Sequence, residues 1–161
     1  MFYLDPKDWS PRFDETFFTI KLESWEVMRS PPERFVGLPK VGGKTDHPAV
    51  YYTIRVLCGR SELTCPRRYS EFRWLYEQLR ASPPVPVEGS DDRKPVPFPP
   101  RTCLFHDSRD EDFLNNRLER LCDFIGYMLR QPGFADHPAM VSFLELESIS
   151  QAGPVFEEQN N

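Results

Sequence analysis

In the first half of the chain, apolar residues alternate with polar ones at the period of a β-strand. The first such segment starts at Thr16, and its apolar phase shifts near Glu23, as a β-bulge would cause. The second, residues 49–57, is dominated by β-branched and aromatic side chains. The third, residues 63–69, contains Pro66, which has no N–H to donate to a neighbouring strand. We therefore expect an antiparallel sheet of three strands, with the third strand at an edge.

After Tyr69 the apolar pattern changes to the period of a helix, with spacings of three and four residues. Ser70 is placed to cap this first helix. A second, longer helix is predicted from about Asp110 to Gln131, because acidic residues suit its start and a Pro-Gly pair follows its end. A short last helix is predicted from Pro138 to about Glu147. The order of strands before helices predicts the α+β class.

Prolines cluster between the first two predicted helices. The chain has 17 prolines in 161 residues, about twice the usual share of roughly 5%. Those in residues 82–100 disfavour both a helix and a central strand there. Residues 1–15 show no period, so we expect an irregular arm, then one domain at residues 16–147 and a polar tail at residues 148–161.

Composition and charge narrow the possible functions. The net charge of −5 disfavours nucleic acid as a partner and leaves any anion binding to a local basic cluster. The four cysteines and three histidines lack the spacing of a zinc site, and no sequence signature of a hydrolase or nucleotide-binding loop occurs. We therefore expect no enzyme, no cofactor and no metal. Without a signal-peptide layout or a run of about 18 apolar residues, the chain is expected to be soluble and cytoplasmic.

The segment Arg67-Arg68-Tyr69-Ser70 lies where the third strand gives way to the first helix. A helix start offers backbone N–H groups and a partial positive charge to a phosphate, and the arginines and the serine hydroxyl add donors there. The Tyr69 ring is suited to lie against the flat face of a sugar or cyclitol. A second interpretation stays open, in which the arginines form surface ion pairs, for example with Glu71, and Tyr69 packs in the core.

Arg117 lies on the apolar face of the second helix. With Leu114 placed at zero and 100° per residue, the apolar side chains fill an arc from roughly −100° to +80°. Arg117 falls inside this arc, at about −60°. A guanidinium among apolar side chains needs a partner for its charge, which is an anion, a buried carboxylate, or water reached by the end of the side chain.

Arg101 is a further candidate, because it directly follows the rigid pair Pro99-Pro100. Leu104 and Phe105 stand in a loop just beyond it. Exposed apolar residues beside a basic group suit insertion into a bilayer interface. The same two side chains are also suited to folding back onto the core, and both interpretations stay open.

In this order the residues resemble a phox-homology (PX) domain of the sorting nexin type. The resemblance covers about residues 16–146 and rests on five segments. They are residues 50–56, residues 67–75, the proline-rich loop ending in Pro99-Pro100-Arg101, residues 113–121, and Phe143-Leu144. It implies a three-stranded antiparallel sheet packed against a helical subdomain, with the Pro-rich loop between the first and second main helices.

The resemblance also implies a function and a set of site residues. PX domains of this type bind mainly phosphatidylinositol 3-phosphate on endosomal membranes, in protein trafficking and sorting. Arg68 resembles the ligand of the 3-phosphate, assisted by Ser70, and Tyr69 resembles the residue that stacks under the inositol ring. Arg101 matches the basic residue that meets the 1-phosphate, and Arg117 matches the arginine that binds the ring hydroxyls at positions 4 and 5. The implied localisation is cytoplasmic, peripherally associated with the endosomal membrane.

Two further features concern the partner. Acidic residues at Asp107 and at positions 110–112 lie close behind the expected insertion loop, where they favour specific headgroup recognition over attraction to anionic membranes. Pro97-Phe98-Pro99-Pro100 fits the P-x-x-P pattern. The alternative function is therefore a protein-interaction module of this fold with weak or different lipid specificity. A protein partner from a trafficking complex is compatible with either function.

Overall fold

The computed structural model describes residues 12–13, 16–32, 38, 47–84, 97–101 and 110–151. Within these ranges the chain forms strands and helices in the following order. They are β1 (Arg12–Phe13), β2 (Thr16–Met28), β3 (Ala49–Cys58), β4 (Ser61–Arg67), α1 (Tyr69–Ala81), α2 (Glu111–Leu129), α3 (Pro138–Leu144) and α4 (Leu146–Gln151). The predicted α+β class is confirmed. Among the helices in the described ranges, none is both long and apolar enough to cross a bilayer.

The strands pair antiparallel in the order β1-β2-β3-β4. The expected three-stranded sheet is formed by β2, β3 and β4, with the Pro66 strand at the edge. The register of β2 against β3 shifts between Leu22 and Ser24, which confirms the predicted bulge. β1 pairs with the start of β2. The arm expected to be irregular therefore contributes Arg12–Phe13 to the sheet, and the prediction is corrected for those two residues.

The first helix starts two residues earlier than a cap at Ser70 predicts, because its cap is Arg68. Arg68 has an extended backbone, with φ −82° and ψ 159°. Its carbonyl accepts hydrogen bonds from the N–H groups of Glu71 and Phe72, at 3.0 and 3.2 Å. The Glu71 carboxylate in turn accepts the Arg68 N–H at 2.6 Å, as in the second half of a capping box. Ser70 lies inside the first turn.

The core lies between one face of the sheet and the helices. Phe72 of α1 contacts Tyr52 of β3 and Phe143 of α3 edge to face, with ring centroids 6.0 and 4.9 Å apart. Each buried side chain of this size contributes about 1.5–3 kcal/mol to folding. The strand residues of this core are Phe18, Ile20, Tyr52, Ile54, Val56, Leu63 and Cys65. The core fixes α1 and α2 against the β2–β3 ribbon.

The helix predicted from Pro138 to about Glu147 is two helices, α3 and α4. They are separated by Glu145, whose backbone is left-handed, with φ 52° and ψ 39°. A left-handed backbone is costly for a residue with a β-carbon. The Glu145 carboxylate is held by Arg67 at 2.9 Å in a buried position, a contact 78 residues apart in sequence. A tertiary ion pair therefore accompanies the break, which helical periodicity does not reveal.

Both described ends of the proline-rich segment pack against the helices. At its start, the Ser82 carbonyl accepts a hydrogen bond from His137 Nε2 at 2.8 Å. At its end, Phe98 stacks on Tyr76 with centroids 4.6 Å apart and meets Phe124 edge to face at 5.0 Å. This packing brings the following prolines to the start of α1.

Candidate functional site

A cavity of about 350 Å³ lies where the β2–β3 ribbon, the start of α1 and the first half of α2 meet. Its volume falls in the range of small-molecule sites. Four of the five headgroup residues predicted from the sequence line it. They are Arg68, Tyr69, Ser70 and Arg117. Folding thus joins residues that are almost 50 positions apart in the chain.

The α1 side of the cavity carries the features of an anion site. Arg68 is partly buried as the N-cap residue, and Ser70 is exposed in the first turn. The N–H groups of a first helical turn point out of the helix end and carry its partial positive charge. The guanidinium, the hydroxyl and the helix end therefore suit a phosphate on this side.

Glu71 adds a carboxylate to the same helix end and is 5% exposed. Burial raises the pKa of this carboxyl above its usual value. The hydrogen bond from the Arg68 N–H and the charges of Arg67 and Arg68 act in the opposite direction. Glu71 does not line the cavity itself, and burial disfavours the ionised form of its carboxyl.

On the α2 side, Arg117 is buried, with 7% of its surface exposed. Its Cζ lies 4.0 Å from the centroid of the Tyr69 ring and 4.4 Å from that of Phe113. Its Nη2 donates to the Pro100 carbonyl at 3.3 Å. These contacts orient the guanidinium. The position deduced from the helical arc is confirmed.

Tyr69 has neighbours that the sequence did not reveal. Its hydroxyl donates to the Pro99 carbonyl at 2.7 Å, and Arg117 lies over its ring. Burial raises the pKa of the phenol, while the charges of Arg117, Arg73 and Arg101 oppose that shift. A ligand ring cannot stack on the Tyr69 face covered by Arg117 unless the guanidinium moves.

Sequence reasoning missed Tyr52, which also lines the cavity. It is 1% exposed. Burial raises the pKa of its phenol, and the Arg117 guanidinium opposes this rise. Its alternation with Ile54 and Val56 placed it on the core face of its strand. Its position beside Arg117 depends on how α2 packs on the sheet, which no local pattern shows.

Arg67 does not belong to the cavity, in contrast to the sequence interpretation that both arginines serve one anion. It is 1% exposed, donates from Nε to the Phe143 carbonyl at 2.9 Å and pairs with Glu145. The correction has a local cause. Leu63, Cys65 and Arg67 alternate along β4, so all three side chains share its buried face.

The remaining candidates are Arg101, the last residue of the described range 97–101, and residues that follow it. Arg101 is exposed at the end of the proline segment and does not line the cavity. Its charge is close enough to oppose the rise in the Tyr69 pKa. Leu104, Phe105 and Asp107 lie outside the described residues, so their expected roles stay predictions.

The described residues contain no group of three or more His, Cys, Asp or Glu side chains placed to hold a metal ion. Cys58, Cys65 and Cys122 are free thiols. Cys65 is buried, and its Sγ donates to the Leu144 carbonyl at 3.5 Å. In the part of the chain that the structure describes, the cavity between α1 and α2 is therefore the candidate site.

Comparison with known proteins identifies the family of this chain. The family model of the PX domain matches residues 56–147, which is more than half of the chain. The chain belongs to the PX domain family. Serine/threonine-protein kinase Sgk3 from Rattus norvegicus and from Mus musculus is 33% identical to this PX domain over 97 residues. That segment is 60% of this chain and 18% of the kinase, so the chain spans less than a fifth of these curated relatives.

Two solved structures share the fold of this PX domain. A designed CISK-PX domain is 26% identical, with a TM-score of 0.53, covering 79% of this chain and 98% of that one. The mouse SNX19 PX domain with a bound sulphate ion is 21% identical, with a TM-score of 0.52, covering 81% of this chain and 98% of that one. The expected fold is confirmed. PX domains are in general phosphoinositide-binding modules and not catalytic ones.

Proposed function

We propose that this PX domain binds phosphatidylinositol 3-phosphate through the cavity between α1 and α2. By doing so it attaches peripherally to endosomal membranes from the cytoplasm, as a sorting nexin type of module in protein trafficking. The observation that carries the proposal is that Arg68 and Arg117 line one cavity of about 350 Å³ in a chain of net charge −5. A local pair of arginines gives an acidic chain a site for a phosphorylated ring.

Arg68 is proposed to bind the 3-phosphate. It stands at the N-cap of α1, where the helix end adds N–H groups and a partial positive charge. A guanidinium meets phosphate oxygens with two parallel hydrogen bonds. Ser70, exposed in the first turn at the same cavity wall, supplies a further hydroxyl donor. An anion at this point can accept hydrogen bonds from the two side chains and from the backbone N–H groups of the helix start.

Arg117 is proposed to bind the ring hydroxyls at positions 4 and 5. It lies against the rings of Tyr69 and Phe113, and the N–H groups of a guanidinium donate in its own plane. Two adjacent hydroxyls suit such in-plane donors. Because Arg117 lies over Tyr69, we propose that Tyr69 supports the guanidinium in this conformation instead of stacking directly under the inositol ring.

Arg101 is proposed to meet the 1-phosphate at the rim of the cavity. It is exposed, directly follows the Pro100 carbonyl that Arg117 binds, and acts electrostatically on Tyr69. Leu104 and Phe105 follow within four residues, and their insertion into the bilayer interface is proposed from the sequence and from this position of Arg101.

The P-x-x-P pattern is only partly available to another domain, because the two residues between its exposed prolines pack against the chain's own fold. Pro99 is buried and its carbonyl is bound by Tyr69. Phe98 stacks on Tyr76. A polyproline ligand must offer its prolines to a partner's aromatic groove. Pro97 and Pro100 are exposed, whereas the packing of Phe98 and Pro99 limits how closely such a groove can approach them. A trafficking protein as an additional partner stays a proposal from the sequence.

Flotation with liposomes tests the function. Vesicles of phosphatidylcholine with and without phosphatidylinositol 3-phosphate are compared, followed by the other phosphoinositides. The wild type is expected to float only with the 3-phosphorylated lipid.

Arg68→Gln is expected to weaken binding by at least about tenfold, since hydrogen bonds to a charged group are lost. Arg60→Gln, exposed in the β3–β4 turn, is the matched control and should bind like the wild type. Equal recovery with and without the lipid would leave only the protein-interaction module.

A further inference from the structure

Phe113 and Tyr69 flank the Arg117 guanidinium. The two ring centroids lie 4.4 and 4.0 Å from its Cζ. Both distances are within the range of a cation–π contact, so each ring contributes separately to holding the guanidinium. Tyr69 is itself tied to Pro99 at 2.7 Å, and Arg117 to Pro100 at 3.3 Å. Arg117 is therefore held by two aromatic rings and by the Pro100 carbonyl.

The two arginines of the cavity differ in their freedom. Arg68 is partly buried at the helix start, whereas Arg117 is 7% exposed and enclosed by aromatic rings. The charge of Arg117 alone would favour a second phosphate on the ligand over a hydroxyl. Its fixed position has the opposite effect, because a phosphate is bulkier than a hydroxyl and would require the guanidinium to move away. Phe113 is a second ring in contact with the guanidinium and adds to the contacts that oppose such a movement.

We propose that Phe113 is a positioning residue that sets the selectivity of the cavity. By fixing Arg117 it favours a cyclitol ring carrying one phosphate near Arg68 and hydroxyls near Arg117, and it disfavours a ring with further phosphates on the Arg117 side. This inference rests on the proposed function and adds to it the reason for the choice among phosphoinositides. Removing the Phe113 ring frees Arg117 to swing outward, where its charge favours the more highly phosphorylated ring.

Calorimetry with short-chain, water-soluble lipids measures this selectivity without a membrane. The probes are phosphatidylinositol 3-phosphate, phosphatidylinositol 3,4,5-trisphosphate and inorganic phosphate. The wild type is expected to prefer the monophosphate. Phe113→Leu should reduce the ratio of the two affinities by roughly three- to thirtyfold, the range that a cation–π contact represents. Phe113→Tyr keeps the ring and should retain the wild-type ratio within about twofold. Phe17→Leu, at an aromatic residue 58% exposed on β2, is the control.

The calorimetric results distinguish the proposed lipid binding from the proposed role of Phe113. If the wild type binds the monophosphate and Phe113→Leu keeps the wild-type ratio, the inference is wrong and the function stands. If the wild type prefers neither lipid, or if inorganic phosphate binds as well as the lipid headgroup, both the proposed function and the inference about Phe113 are wrong. If the protein binds vesicles that contain the lipid but does not bind the short-chain lipid in solution, the inference is also wrong.

A second measurement tests the wild type first and the Phe113→Leu variant afterwards. In the NMR spectrum of the wild type, two flanking rings should shift the Nε–H resonance of Arg117 upfield by their ring currents, compared with exposed Arg60. Phe113→Leu should remove part of this shift while its thermal unfolding stays cooperative. A wild-type Arg117 resonance at the position of an exposed arginine would overturn the proposal by itself.

Discussion

Arg67 and Glu145 form a buried ion pair, with 2.9 Å between Nη2 and Oε1 and side chains only 1% and 3% exposed. The pair joins the end of β4 to the junction of α3 and α4. Arg67 also donates to the Phe143 carbonyl at 2.9 Å, and it directly precedes the cavity residue Arg68. The Arg67 guanidinium therefore links the C-terminal helices to the strand end that leads into the proposed anion site.

Replacing Arg67 should be strongly destabilising, since it leaves the Glu145 charge buried without this partner. Arg67→Met is expected to lower the free energy of unfolding by about 3–5 kcal/mol, measured by urea denaturation. Arg60→Gln, in an exposed turn, should change it by less than about 0.5 kcal/mol. The double variant Arg67→Met with Glu145→Leu should lose less than the single one, because both charges leave the core. A larger loss in the double variant would contradict this account.

Two glycines with positive φ, Gly133 and Gly59, allow the contact between Gly133 and Pro84 to be tested against a matched control. A β-carbon at Gly133, where φ is +83°, would lie 2.9 Å from the Pro84 β-carbon. At Gly59, where φ is +60°, it would meet nothing within 4 Å. Both alanine variants incur a left-handed backbone cost of about 1–2 kcal/mol. Gly133→Ala should cost at least about 1 kcal/mol more in thermal or urea unfolding, because the rigid Pro84 ring must shift. Equal losses would show that Pro84 gives way freely.

The Tyr69 hydroxyl should matter for stability as well as for the cavity. Tyr69→Phe leaves the carbonyl of buried Pro99 without the donor seen at 2.7 Å. A buried acceptor that loses its partner costs about 1–3 kcal/mol. Tyr76→Phe is the control, because its hydroxyl accepts an exposed hydrogen bond from Arg80 at 3.1 Å. If the two variants unfold at the same urea concentration, the link between Tyr69 and the proline segment contributes nothing to the fold.

Glu71 should make stability depend on pH. Its pKa in the folded chain is raised, with burial as the main cause, so the folded state holds a proton that the unfolded state has released. The resulting stabilisation is complete below the ordinary value of 4.5 and is lost as the pH rises through the raised pKa. Glu71→Gln cannot titrate, so its free energy of unfolding should improve relative to the wild type as the pH rises above 4.5. Urea unfolding over a pH series measures this, and a difference that stays constant across the series would rule the effect out.

The sequence by itself determined the elements and most of the fold. Alternation predicted the strands and the bulge in β2, Pro66 predicted the edge strand, and the helical arc predicted that Arg117 lies among apolar side chains. These features are local, because strand and helix periods decide which side chains share a face. The same alternation along β4 would have placed Arg67 on the buried face, had it been extended to the end of the strand.

Tertiary structure alone decided which contacts those faces make. It paired Arg67 with Glu145 across 78 positions, and it placed Arg117 on Tyr69 at 4.0 Å from the ring. It also turned two P-x-x-P residues inward against α1. Periodicity states that a side chain is buried, but its partner depends on how helices and sheet dock, and that depends on the packing of the whole core. Most residues of the proposed headgroup site are therefore readable from the sequence, and the contacts that orient them are set by the fold.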